Sequence, residues 1–230
     1  VNDLSMDVYD REIVALIGPN GAGKTTLIRS VVGAQPPTSG SVRVCGHDVW
    51  EEPVAAKRLM AYVPDNPDVY DFLTGVQYLD LIADVFGVGV EDRRRRAGEL
   101  TERLELSGAL SDPVSGYSHG MRQKLVLVGA LLHDPELLML DEPFVGLDPS
   151  ASHELKAILR ERAEAGGAVF FSSHVLEVVE RLCDTVAVIR HGELVASGPT
   201  DEVRGSGSLE DVFLELVDDK VPAAPSPSNR

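Results

Sequence analysis

Residues 18–26 read Gly18-Pro19-Asn20-Gly21-Ala22-Gly23-Lys24-Thr25-Thr26, and no other stretch constrains the fold as tightly. They fit the pattern G-x-x-x-x-G-K-[ST] with a second Thr to spare. The run before them, residues 12–17 (EIVALI), is apolar and short enough for a buried strand. The run after them, residues 27–32, reads as a helix. Strand, glycine loop and helix together are the context the pattern needs. Glycines leave backbone N–H groups free to face a polyphosphate, and a helix N-terminus adds partial positive charge. Lys24 would reach the β- and γ-phosphates, and the Thr25 hydroxyl would face Mg²⁺. A plain glycine turn at a helix start has no need of Lys-Thr in register with the glycines. The stretch therefore predicts a nucleoside triphosphate site and leaves open what is done with the triphosphate.

The rest of the chain alternates in the same way. Residues 60–63, 137–140, 168–171 and 185–189 are short, apolar and partly β-branched, as buried strands of a mainly parallel sheet are. Helical patterns lie between them at 121–132, 152–165 and 176–182. Residues 41–45 and 193–196, the latter following His191-Gly192, read as strands of an antiparallel edge or side sheet. From about 70 to 132 no good strand occurs; Tyr78, Leu79, Leu81, Ile82 and Val85 mark one helix and Ala97, Leu100 and Leu104 another. The predicted fold class is α/β: a P-loop NTPase core with a mainly parallel sheet, an antiparallel β side sheet and a helical subdomain inserted at about 70–132. One domain would span 1–220, ending on a helix at 209–217, with a disordered Pro/Ser-rich tail at 221–230.

Charge narrows the partners. The chain carries 21 basic and 37 acidic residues, net −16, which repels phosphate backbones and anionic lipid and predicts no nucleic-acid partner. Arg93, Arg94, Arg95 and Arg96 read as a solvated helix face, with Arg95 opposite Glu99 at i,i+4. The longest apolar run, 125–132, is far short of the ~18–20 residues that span a bilayer. With no signal peptide in view, a cytosolic chain is expected, or one docked on a membrane through a partner. Cys45 and Cys183 read as reduced thiols. Val1 in place of Met predicts that the natural start is missing.

Two further motifs carry chemistry. Residues 137–143 are an apolar run ending in Asp141-Glu142-Pro143. A buried strand delivers such acids to the sheet edge where α/β proteins bind ligands. Asp141 would hold Mg²⁺, and Glu142 would polarise a water for attack on the γ-phosphate. Upstream, Tyr117-Ser118-His119-Gly120-Met121 opens a helix; Ser118 is an N-cap type, and Gly120 lets a ligand approach the backbone.

In order and spacing these motifs, with Gly146-Leu147-Asp148 and Ser172-Ser173-His174, resemble the ATP-binding cassette (ABC) ATPases from about residue 1 to 216. The resemblance implies that Gly18, Pro19, Asn20, Gly21, Ala22, Gly23, Lys24, Thr25 and Thr26 hold ATP, with Glu142 as base and His174 contacting the γ-phosphate. Residues 117–121 stand for the family signature L-S-G-G-Q; Ser118 and Gly120 keep it, while Tyr117, His119 and Met121 depart from it. Asp148 would link two nucleotide sites across a dimer. Asp65 stands where the family has a metal-facing Gln and would reach Mg²⁺ directly or through water. Tyr9, the only aromatic residue before the loop, reads as a turn or edge residue, so no adenine-stacking residue is assigned.

The implied function is ATP hydrolysis that powers transport through a separate transmembrane permease subunit, on the cytoplasmic face of the cell membrane. A second nucleotide-binding subunit, a copy or a paralogue, would complete each site. Residues 69–75 resemble the exporter-type branch, and the short tail after 216 adds to that. The alternatives are a soluble ABC ATPase in translation or DNA repair, or a regulator that does not hydrolyse ATP. One P-loop, the absence of heptads, and the presence of Glu142 and His174 speak against them.

Overall fold

The computed structural model describes residues 1–217; the tail expected at 221–230 lies outside them. The chain runs β1 (Ile13–Ile17), α1 (Lys24–Val31), β2 (Arg43–Val44), β3 (His47–Asp48), α2 (Pro53–Arg58), β4 (Met60–Val63), α3 (Gly75–Phe86), α4 (Val90–Arg103) and α5 (His119–Leu131). It continues with β5 (Leu137–Asp141), α6 (Pro149–Glu164), β6 (Ala168–Ser173), α7 (Leu176–Leu182), β7 (Thr185–Arg190), β8 (Glu193–Pro199), α8 (Thr200–Arg204) and α9 (Leu209–Val217).

Six strands form the main sheet in the order β4-β5-β6-β1-β7-β8. All pairs are parallel except β7–β8. β1 is buried along its whole length, and its alternate side chains feed two cores. Ile13, Ala15 and Ile17 face a core shared with α3, α5, α6 and α7. Val14 and Leu16 face a smaller one shared with α1, β2 and α2. A strand covered on both faces has no polar side to alternate with, hence the unbroken apolar run in the sequence. Between β4 and β5 the described residues add helices and no strand to the sheet, and α5 packs on β4.

The antiparallel strands divide between two places. β8 is the edge of the main sheet, reached from β7 through His191 and Gly192 at φ 50° and 83°. β2 pairs with β3, a two-residue strand that leaves little apolar pattern to read, in a ladder of its own. The short helices α2 and α8 were likewise not expected. In the arginine cluster Arg93, Arg95 and Arg96 meet acids, with one change of partner. Arg95 pairs with Asp92 at i,i+3, at 3.1 Å, and not with Glu99. Arg93 meets Asp80 and Asp84 on α3. Arg96 donates to Leu132 O at 2.7 Å. Cys45 is an exposed thiol and Cys183 a buried one; burial pushes the Cys183 pKa up.

Candidate active site at the strand ends

The C-terminal ends of β1, β5 and β6 lie side by side, and each delivers part of the site. The glycines after β1 serve different ends. A Cβ on Gly18 would sit 2.3 Å from Ile189 O of β7, so this position allows nothing larger. Gly21 and Gly23 have φ of 79° and 110°, a region that favours glycine. Gly23 is the N-cap of α1 and makes no side-chain cap. Bonding inside the loop joins Ala22 N–H to Pro19 O, and Gly192 N–H donates to Ala22 O from the β7–β8 turn. Lys24 is 8% exposed. Its Nζ donates to Gly18 O at 2.7 Å and Pro19 O at 3.3 Å, with Glu142 Oε1 4.0 Å away. Thr25 and Thr26 are exposed at the start of α1, and Asn20 and Gly21 are exposed in the loop.

Asp141 ends β5, opposite Ser172 of β6 in the sheet register. Both are buried, and Ser172 Oγ donates to Asp141 Oδ1 at 2.5 Å. The same oxygen accepts from Glu142 N–H at 3.0 Å. Glu142 sits at φ 50°, outside the region an ordinary residue prefers. Its Oε2 accepts from His174 Nδ1 at 2.8 Å and from His174 N–H at 3.2 Å. In the sequence Ser172 is one of two serines before His174, with nothing to mark it; only the register reveals that it holds both acids.

A second group gathers around the N-terminus of α5. Ser118 Oγ accepts from Met121 N–H at 3.3 Å, the expected cap. Tyr117 is buried, and its hydroxyl donates to Ala109 O at 2.7 Å. A Cβ on Gly120 would lie 2.7 Å from Gly146 O, so the space it leaves is taken up inside this chain. Gly146, at φ 79°, is packed against the His119 ring: a Cβ there would lie 2.5 Å from His119 Cδ2. His119, the bulkiest departure from the signature pattern, thus has a seat in the fold. Asp148 caps α6 through Oδ1, accepting from Ala151 N–H at 2.8 Å, while Oδ2 accepts from Lys124 Nζ at 3.0 Å. The Ala151 N–H, and then Lys124, hold the Asp148 carboxyl below the usual carboxylate range.

Among the described residues, no hydrogen bond or ion pair joins Ser118, Gly120 or Asp148 to Lys24, Asp141, Glu142 or His174. Asp65 stands apart as well, exposed after β4. Its charge acts on the Tyr62 hydroxyl, whose pKa is raised by burial first, then by Asp141, with Asp65 a smaller contributor. No group of three or more His, Cys, Asp or Glu able to hold a metal occurs among the described residues. Mg²⁺ takes one or two protein oxygens and completes its shell with phosphate and water. Thr25 and Asp141 are hard oxygen donors of that kind, and Asp141 Oδ2 accepts no hydrogen bond among the described residues.

A glycine loop between a central parallel strand and a helix, with acids at the end of the next strand but one in the sheet, defines a P-loop nucleotide-binding site. The family described as ABC transporter matches residues 1–145, and the chain belongs to it. An uncharacterized ABC transporter ATP-binding protein of Nostoc is 39% identical over 88% of this chain, and one of Synechocystis is 36% identical over 92%. The chain spans 60% of the length of each of these two relatives. A solved ATP binding subunit of an ABC transporter superimposes with a TM-score of 0.90 at 35% identity, covering 93% of this chain and 91% of that one. A dimeric post-hydrolysis cassette bound to ADP and Pi shares the fold, with a TM-score of 0.77 at 21% identity over 85% of this chain and 88% of that one.

Proposed function

We propose that the chain hydrolyses ATP as the nucleotide-binding subunit of a transporter, peripheral to the membrane through a permease subunit, and that each site is completed by a second nucleotide-binding chain. One observation carries the reading. The phosphate loop, Asp141, Glu142 and His174 converge on one sheet edge, while Ser118 and Gly120 sit on α5 with no bond to them. Two such chains, each offering its α5 to the other's loop, would complete two sites. A dimeric cassette with this fold and bound ADP and Pi supports that arrangement.

Bound Mg²⁺ would neutralise charge on the β- and γ-phosphates. Thr25 and Asp141 would hold it, with Asp65 reaching it directly or through water. Lys24 would turn from the carbonyls of Gly18 and Pro19 to the phosphates. Glu142, oriented by His174 and by Ser172, would take the proton of the attacking water. His174, with its side chain 59% exposed, would meet the γ-phosphate. Positioning and charge stabilisation would supply most of the rate.

Residues 1–220 would act as one ABC domain, with about 70–132 as the helical subdomain that meets the permease. No helix among the described residues is long and apolar enough to cross a membrane. Tyr70, Phe72 and Val76 are 56%, 81% and 44% exposed, an apolar surface beside Asp65 suited to a helix of a partner. Asp71, between two of them, pairs with Arg122 of α5 at 3.0 Å. Movement at the permease would thereby reach the helix that closes over ATP. The resemblance of residues 69–75 to the exporter branch supports outward transport. Purifying the full chain from membranes tests the reading: a polytopic membrane protein should co-purify and be lost in Phe72→Ser with ATP binding kept. Retention of the partner in Phe72→Ser and Tyr70→Ser alike would contradict the docking surface.

A further inference from the structure

Lys124 lies one and a half turns into α5 and is buried, at 8% exposure. A buried cation is costly unless paired, and its hydrogen-bond partner among the described residues is Oδ2 of the half-exposed Asp148, at 3.0 Å. Both oxygens of Asp148 are thereby engaged inside the chain, one on Lys124 and one on the cap of α6. The loop ending at Asp148 begins at Glu142, and Glu142 O accepts from Val145 N–H at its start. Midway, Gly146 is locked between Gly120 and the His119 ring.

We propose that Lys124 is a positioning residue that, through Asp148, fixes the 142–148 loop against the start of α5. Ser118 and Gly120 then approach the partner chain as one preformed surface with that loop. One end of the loop carries Glu142, which acts on this chain's own ATP; the other is clamped to the helix that acts on the partner's ATP. The inference rests on the two-chain site proposed above.

The test uses the full chain carrying Glu142→Gln, in which ATP should drive dimerisation without turnover. Adding Lys124→Met should raise the ATP concentration needed for half-maximal dimerisation by about tenfold or more. ATP affinity of the monomer should stay within about twofold. Asp148→Asn keeps a cap oxygen for Ala151 and removes the charge Lys124 answers, so it should reproduce the defect even if Lys124→Met folds poorly. The double variant should be no worse than either single, and Lys124→Arg should recover part of the loss. With Glu142 restored, the Hill coefficient for ATP should fall towards one in Lys124→Met. A parent chain that stays monomeric with ATP overturns the two-chain site, and the role of Lys124 with it. A parent that dimerises, with Lys124→Met and Asp148→Asn dimerising equally well, overturns the role of Lys124 alone.

Discussion

Replacing Ser172 by Ala removes one oxygen that serves two acids. Its hydroxyl donates to Asp141 at 2.5 Å and accepts from Glu142 N–H at 3.0 Å, in a fully buried position. A hydrogen bond to a charged group contributes about 1.5–3 kcal/mol, and a buried N–H left without an acceptor costs about 1–3 kcal/mol. Since one hydroxyl makes both bonds, a combined loss of about 3–5 kcal/mol is expected. For a chain of this size that lowers Tm by about 6–20 °C. Turnover should suffer separately. Glu142 is held at φ 50°, and releasing such a residue returns about 1–3 kcal/mol of strain. The Ser172 hydrogen bond holds Glu142 against that strain, so with the bond removed the carboxylate shifts and kcat falls by about tenfold or more. The phosphate loop is untouched, so ATP affinity should stay within about threefold. Thermal melting, a coupled phosphate-release assay and nucleotide titration measure the three quantities. A Ser172→Ala variant with unchanged Tm and kcat would refute the reasoning.

Gly18→Ala places a Cβ 2.3 Å from Ile189 O; the loop must shift, and nucleotide titration should show affinity down by about tenfold or more. Gly120→Ala meets Gly146 O at 2.7 Å; hydrolysis should drop by about tenfold while the isolated chain still binds ATP, and normal turnover would argue against the interlock. His133 stacks on Phe86 with ring centroids 3.7 Å apart, and burial holds its pKa below the ordinary 6.5. The unfolded chain therefore takes up that proton more readily than the folded one. Its contribution to stability is full above pH 6.5 and is lost as pH falls below that towards the folded pKa. His133→Phe keeps the stack and should flatten the fall in Tm over that range; an unchanged pH profile would rule the group out.

Elements with a pattern of their own were legible in the sequence. β4 and α7 lie where residues 60–63 and 176–182 placed them, because each is an apolar run between clear breaks. The loop at 18–26 was legible because phosphate binding needs particular residue types at fixed spacing. What depends on tertiary register was not. Ser172 and Ser173 are equivalent in the sequence. The pairing of β5 with β6 alone turns Ser172 towards Asp141 and leaves Ser173 to accept from Val175 N–H. The close approach of Gly120 to Gly146 O, 26 positions away along the chain, has no trace in the sequence either. Arg95 had acids at both i−3 and i+4, and sequence spacing cannot choose between them.

The most direct measurement is made on Glu142→Gln. The side chain keeps its shape and loses the carboxylate that His174 Nδ1 meets at 2.8 Å. Steady-state phosphate release should fall by about a hundredfold or more, as expected for loss of a general base. ATP affinity should be kept, and a dimer should accumulate with ATP. Near-normal turnover by that variant would contradict the assignment of Glu142 and the mechanism built on it.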